Sequence, residues 1–323
     1  MLISVAMPTY KRLPQLKRAV EDVFAQTWKD WELVISDDEE GEDGETWRWL
    51  VDLASRESRV KVLKNRRGKH GQIYNVNSAC LATSGEWIKP FFDDDRMLPE
   101  CLSEFARLAQ SRLARDCNVV MIGCRGEKWR TGVKDGEDAD FLAHEVEVVP
   151  AKDTLRAMCL FDRWNGRTPT HVMMRGDVVR GGATMVEDTF VKHPLDVRWF
   201  GRVLEHGALM MTNKVLVCEC QGEVESGTSQ LWKEEGLVTE ENRKVYLEIY
   251  DRAVKDSRWP TRLAVDSQIC GIRGLYHISK RQLFQGIKYL LLSARSPKGM
   301  LLAIRAVRRL RNPGTQPATE RIF

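Results

Sequence analysis

Short apolar runs alternate with segments of helical period across the first hundred residues, and this alternation constrains the fold more than any other feature of the chain. It is the pattern of βαβ units, which produce a mainly parallel sheet with helices on its faces. Leu2–Met7 reads as the first strand, stopped by Pro8. A helical stripe follows over Leu13–Gln26, with Leu13, Leu16, Val20, Val23 and Phe24 on one face. Trp31–Ser36 reads as the second strand, Trp47–Leu53 as a helix, Val60–Leu63 as a short strand and Ile73–Ala82 as a helix. Trp87–Phe92 is then a buried strand, Pro99–Leu113 a helix, and Val119–Ile122 one more strand.

In open parallel sheets, ligands bind in the crevice beyond the carboxyl ends of the strands. Three such ends carry polar groups: Pro8-Thr9-Tyr10, Asp37-Asp38 and Asp93-Asp94-Asp95. Adjacent carboxylates repel, and one is pushed toward its protonated form unless a cation neutralises the group. A hard divalent cation resolves the conflict, and one that also carries phosphate ligands suits Mg²⁺ or Mn²⁺. Taken alone, the triplet equally suits a helix cap, because Asp is a favoured N-cap residue. Between the acidic clusters lies Lys64–Gly71, a basic, glycine-punctuated stretch leading into a helix. Backbone amides at a helix start, with Lys69 and its neighbours, suit phosphate groups; a solvated basic turn is the plainer reading.

Bulk properties narrow the class. The chain has 323 residues, 43% apolar and 30% charged, as in a soluble globular protein, and a net charge of only +4. No general polyanion-binding field follows, and no recognised nucleic-acid motif accompanies the local charge. The sign is uneven: Asp37–Glu45 is acidic, whereas Lys280–Arg311 is basic. Eight cysteines lie without CxxC pairs or zinc-like spacing, which suits a reduced, cytoplasmic setting. The start of the chain lacks the pattern of a signal peptide, and no stretch is apolar enough to span a membrane.

Taken in order, these residues resemble a family: the inverting GT-A glycosyltransferases of family 2. The likeness runs through Pro8-Thr9-Tyr10-Lys11-Arg12, Gln26–Ile35, Asp37-Asp38, Asn75, and Gly85-Glu86-Trp87-Ile88 with the triplet and Pro99. It is close over roughly the first 105 residues and looser over about 165–220. The resemblance implies a GT-A fold, a Rossmann-like sheet flanked by helices, with a C-terminal helical extension. It also implies a sugar moved from a nucleotide-sugar donor, most simply a UDP-sugar, to an acceptor hydroxyl with inversion. The acceptor would be a carbohydrate or lipid-linked, in cell-surface polysaccharide or glycolipid synthesis. By the same resemblance, Pro8 and Tyr10 at the first strand end and Asp37 and Asp38 contact the nucleotide base and ribose. Asp93 and Asp95 form a DxD motif, with Asp95 on Mn²⁺ or Mg²⁺ and Asp93 nearer the donor; Asp94 lies beside the donor as well. Glu39-Glu40 stand where the family usually has Gly-Ser, and Tyr74 where an Arg commonly precedes the Asn.

An inverting transfer needs a carboxylate to take the acceptor proton. The family keeps this Asp just before a helix carrying an aromatic residue and an Arg, which Leu195–Leu204 matches with Asp196. Glu187-Asp188, the literal acidic pair, is the rival, and an N-cap role is open to each. Glu127–Asp140 reads as an irregular excursion over the sheet edge, Phe161–Pro169 as a loop suited to a sugar site, and Ser226–Ser229 as a loop over the diphosphate. His171, His193 and His206 lack partners at metal spacing and read as surface or packing residues. Domains are expected at 1–222, catalytic, with a nucleotide-sugar half (1–123) and an acceptor half (124–222), and at 223–323, mostly helical. Pro297 and Gly299 split Lys280–Arg311 into two basic amphipathic helices. They suit either an anionic membrane surface or packing on the catalytic domain. Two other classes compete: a nucleotidyltransferase acting on a sugar phosphate, and a catalytically silent, membrane-associated nucleotide-sugar-binding protein.

Overall fold

The computed structural model describes residues 1–65, 70–138, 142, 144–160, 168–186, 195–221, 240–255 and 260–311, with the main chain only at 221 and 308–311. Two compact units emerge: Met1–Val149 with Arg167–Val186 and Arg202–Glu223, and Pro150–Gly166 with Glu187–Gly201 and Val224–Phe323.

The first unit is a sheet with helices. Strands β1 (Ile3–Thr9), β2 (Trp31–Asp37), β3 (Val60–Lys64) and β4 (Trp87–Pro90) alternate with helices α1 (Leu13–Phe24), α2 (Glu45–Arg56) and α3 (Gln72–Leu81). The strands pair in parallel in the order β3-β2-β1-β4. This is the βαβ arrangement that the alternation predicts. Pro14 lies in the first turn of α1, where its missing N–H costs nothing, and Leu16, Ala19, Val20 and Val23 face the core. Before α3 stands Gly71 at φ 119°, a conformation closed to residues with a Cβ. Under the sheet, Leu33, Ile35, Phe91 and Phe105 are fully buried and form part of one continuous core. Burial of each such side chain contributes about 1.5–3 kcal/mol.

Several boundaries differ from the sequence reading. Pro8 does not stop the first strand. It pairs with Ser36, and β1 continues to Thr9. A proline is tolerated at that register because only one ladder donor is lost, near the strand end. The fourth strand closes at Pro90, two residues before Phe92. Helix α4 (Cys101–Ala109) is shorter than Pro99–Leu113, and α5 (Arg112–Asp116) restarts after Ser111, whose hydroxyl accepts from the Ala114 N–H at 3.1 Å.

Beyond β4 come β5 (Arg96–Met97), β6 (Val119–Arg130), β7 (Val133–Glu137), β8 (Val146–Val149), β9 (Val172–Arg175) and β10 (Ala208–Gln221). The sheet continues β4-β9-β6-β10-β5, with β9 antiparallel to both neighbours. The stretch expected as an irregular excursion is instead the β6–β7 hairpin, turned at Thr131 and Gly132 with φ of 49° and 79°. β10 is long because β6, β8 and β5 all pair with it.

Helices α6 (Ala151–Cys159), in the second unit, and α7 (Gly176–Arg180), in the first, precede α8 (Leu195–Leu204). The rest of the second unit comprises Glu240–Ile249 with a π-turn at Tyr250–Val254, then three helices, Arg262–Ser279, Leu283–Ser293 and Pro297–Arg311. Pro297 opens the last of these, and Gly299 lies inside it. Among the described residues, no helix is long and apolar enough to cross a membrane. All eight cysteines are free thiols.

Candidate active site

After β4 the chain leaves the sheet in a tight turn. Phe91 N–H bonds Ala6 O at 3.0 Å and Asp95 N–H bonds Phe92 O at 3.2 Å, so three successive carboxylates are held by backbone bonds on either side. They face different surroundings. Asp93 is buried and accepts from the Thr9 hydroxyl at 2.7 Å, with an Arg12 nitrogen 3.6 Å away. Asp94 is partly exposed and pairs with Arg12 at 2.6 Å. Asp95 is buried, with one oxygen accepting from the Thr170 hydroxyl and the other from Cys220 N–H at 3.1 Å.

Crowding and burial raise the proton affinity of this turn. Burial first, then the neighbouring Asp94, pushes Asp93 up to about 7. Burial and Asp94 likewise hold Asp95 well above the usual carboxylate range, and Glu219 adds to the effect. Beneath the turn lies Lys89, fully buried, with its ammonium donating to Pro90 O at 3.0 Å and to Thr170 O. Burial depresses its pKa.

The second acidic cluster makes ordered contacts at the ends of β2 and β3. Asp37 accepts from Lys64 Nζ at 2.8 Å and from Glu39 N–H at 3.0 Å. Asp37 and Lys64 are also register partners at the ends of β2 and β3, a cross-strand relation that strand assignment alone would have exposed. Asp38 accepts from the Asn65 side-chain amide at 2.6 Å and from Gly71 N–H at 2.7 Å. It therefore ties Asn65, just after β3, to Gly71, just before α3. Lys69 itself lies outside the described residues, as do Glu187, Asp188, His193 and Ser226–Ser229.

Around the first strand end, Asn75 donates to Thr9 O at 2.9 Å, while its own Oδ1 is buried and has no hydrogen-bond partner among the described residues. Tyr10 is 52% exposed, with Lys11 Nζ 5.2 Å from its ring centre. Lys11 adopts φ 53°, uncommon for a residue with a side chain. His171 proves to be a buried residue, 3.2 Å from Asp138 Oδ2 and 2.9 Å from the Thr168 hydroxyl.

In the second unit, Asp196 sits in the first turn of α8, not before it, and its Oδ1 accepts from Val197 N–H at 2.8 Å. Behind it, Trp199 and Phe200 are buried and stacked, and Arg198 pairs with Glu248 at 2.8 Å. Burial, and to a lesser extent the charge of Asp196, pushes the Tyr246 phenol upward.

Among the described residues, no three metal-binding side chains converge as a ready-made ligand set. Asp93 and Asp95 are the carboxylates at the turn that a small divalent cation would take as oxygen donors. Mg²⁺ and Mn²⁺ sites commonly take one or two carboxylates and complete their shell with substrate phosphates. Both Asp93 and Asp95 are carboxylates whose proton affinity burial and crowding raise. Three partners escaped the sequence reading: Arg12 as counter-ion, Thr170, and the Cys220 amide. Thr170 lies in the turn Pro169–His171 before β9 and Cys220 in β10, both more than 70 residues downstream in sequence.

The chain belongs to glycosyl transferase family 2, whose sequence model matches residues 4–179. Its central sheet and flanking helices form a GT-A-like fold. One relative is the GalNAc(5)-diNAcBac-PP-undecaprenol beta-1,3-glucosyltransferase of Campylobacter jejuni, 31% identical over 150 residues, 46% of this chain and 48% of that protein. Another is the UDP-Glc:alpha-D-GlcNAc-diphosphoundecaprenol beta-1,3-glucosyltransferase WfgD of Escherichia coli, 33% identical over 94 residues, 29% of this chain and 35% of WfgD. The matches thus span about half or less of these relatives' length. Among solved structures, S. aureus TarS 1-349 in complex with UDP-GlcNAc shares the fold at a TM-score of 0.64 and 14% identity, covering 98% of this chain and 93% of that one. The mannosyltransferase PcManGT from Pyrobaculum calidifontis, in complex with GDP-Man and Mn²⁺, does so at 0.54 and 14%, covering 96% and 81%.

Proposed function

We propose that the chain transfers a sugar from a nucleotide-sugar donor, a UDP-sugar by preference, to a hydroxyl of a lipid-linked acceptor with inversion. Its setting would be cell-surface polysaccharide or glycolipid synthesis at the cytoplasmic membrane face. The observation that carries the reading is the Asp93–Asp95 turn, where buried carboxylates with raised proton affinity stand beside the polar end of β1. Family membership and the lipid-diphosphate acceptors named for two relatives support it.

In this reading, Pro8, Tyr10, Asp37 and Asp38 frame the nucleoside, with Lys69 toward the diphosphate. Asp95 and Asp93 are the carboxylates that would hold Mn²⁺ or Mg²⁺, which when bound stabilises negative charge on the leaving nucleoside diphosphate. Asp196 accepts the proton of the acceptor hydroxyl as its oxygen forms the new bond at the anomeric carbon and the bond to the diphosphate breaks. Residues 1–222 would carry catalysis and 223–323 the association with the acceptor's surroundings.

Turnover of a panel of nucleotide sugars, with and without Mn²⁺, tests the reading. Transfer that needs the cation and ceases in Asp95→Asn is expected. Metal-independent transfer would overturn the DxD assignment.

A further inference from the structure

The helix Leu283–Ser293 turns small side chains inward and large apolar ones outward. Its buried residues are Gly286 and Ser293. A Cβ on Gly286 would meet the Ile278 side chain at 2.6 Å, and one on Gly274 would meet Leu290 at 2.8 Å, so this helix approaches Arg262–Ser279 through glycines. The following helix, Pro297–Arg311, meets the same long helix in the same way, with Gly271 against Ala303 at 2.5 Å and Gly299 against Ala264 O at 2.6 Å. Elsewhere on the surface of Leu283–Ser293, Leu283, Phe284, Ile287 and Leu291 are 61%, 81%, 54% and 68% exposed. At 100° per residue these four fall within an arc of about 100°. A helix that merely packed on its neighbours would bury them.

Charge selects the occupant. From 280 to 311 the sequence has nine Lys and Arg and no Asp or Glu. Lys288 lines one shallow concavity with Phe284, Ile287, Leu291 and Leu292. A second copy of the chain would bring nine like charges against nine, an unfavourable pairing. A nucleic acid would match the charge but would leave the aliphatic stripe in water. Anionic lipid matches both features.

We propose that this face docks on an anionic lipid surface. The helix Leu283–Ser293 lies in the headgroup plane, its Leu283–Phe284–Ile287–Leu291 stripe dips toward the acyl chains, and the flanking Lys and Arg meet lipid phosphates. The proposal deepens the lipid-linked-acceptor reading, but vesicle binding without donor or acceptor tests it separately from catalysis.

The experiment is co-sedimentation of the full chain with acceptor-free vesicles of phosphatidylcholine, alone or with about thirty per cent phosphatidylglycerol. Binding should be at least about tenfold stronger to the anionic vesicles and should weaken with salt. The variant Phe284→Ser/Ile287→Ser/Leu291→Ser should lose about tenfold in binding while keeping its thermal melt, because these side chains are exposed. Lys288→Glu should weaken binding to anionic vesicles only. Absent binding by the parent chain, or undiminished binding by the triple variant, would overturn the proposal. So would a concentration-dependent dimer, seen by light scattering, that the triple variant abolishes while vesicles go unbound.

Discussion

Thr9 and Asp93 stand 84 positions apart in sequence, yet the threonine hydroxyl donates to the aspartate at 2.7 Å, tying the end of β1 to the turn after β4. The bond favours the carboxylate form but is outweighed by burial and by Asp94, which leave Asp93 near 7. The folded state therefore holds this proton more tightly than the unfolded chain, whose carboxyl titrates near 3.8. Asp93's contribution to stability is complete below about pH 4 and is lost as pH rises through about 7, and Asp95 acts in the same direction. The unfolding free energy, measured by chemical denaturation, should fall by about 2–4 kcal/mol between pH 5 and pH 8 on account of Asp93. Asp93→Asn should remove that part of the decline.

Lys64 and Asp37 form a pair that is almost wholly sheltered from water. Removing one partner leaves a buried charge without compensation. Lys64→Met should cost about 3–5 kcal/mol in denaturant unfolding. Adding Asp37→Asn to that variant should recover part of the loss. A cost below about 1 kcal/mol for the single variant would show that solvent reaches the pair in solution.

Thr170, in the turn Pro169–His171 that leads into β9, delivers its hydroxyl to Asp95. Thr170→Val keeps the shape but strips the donor from a buried carboxylate, which should destabilise the fold by about 1–3 kcal/mol. Thr170→Ser should be near neutral. If the bond also orients Asp95, Mn²⁺ affinity measured by paramagnetic titration will drop in the valine variant and return in the serine variant.

For the general base, Asp196→Asn should lower turnover by about 10²–10⁴-fold and leave nucleotide-sugar affinity unchanged, as calorimetry can check. Its position in the first turn of α8 makes a folding defect small, since Asn also suits a helix start. Unchanged turnover would move the role to Glu187 or Asp188.

The parallel half of the sheet was legible because each strand there is a short apolar run bounded by a helix of clear period. Trp31–Asp37 and Val60–Lys64 fall within one residue of their expected spans. The acidic turns were legible for the same reason, since strand ends follow once strands are known. What surrounds them was not. Cys220 N–H reaches Asp95 from the long β10 and Thr170 from the turn that leads into antiparallel β9, and no local pattern encodes which distant segments become neighbours. The hairpin Val119–Glu137 was missed because its outer half is polar on both faces, so period-two alternation fades where the strand leaves the core. Pro8 misled for a different reason: it was weighed as a strand breaker, whereas at the end of a ladder it removes only one bond.

One side chain, Asp38, fastens both Asn65 and Gly71. The same carboxylate lies 3.3 Å from the His70 ring nitrogen. Among the described residues, helix α3 has no side-chain cap of its own, so the residue that satisfies its entry is borrowed from the end of another strand. Register of β2 and the start of α3 are thereby set by one and the same side chain, and a change at Asp38 would be felt at two elements at once.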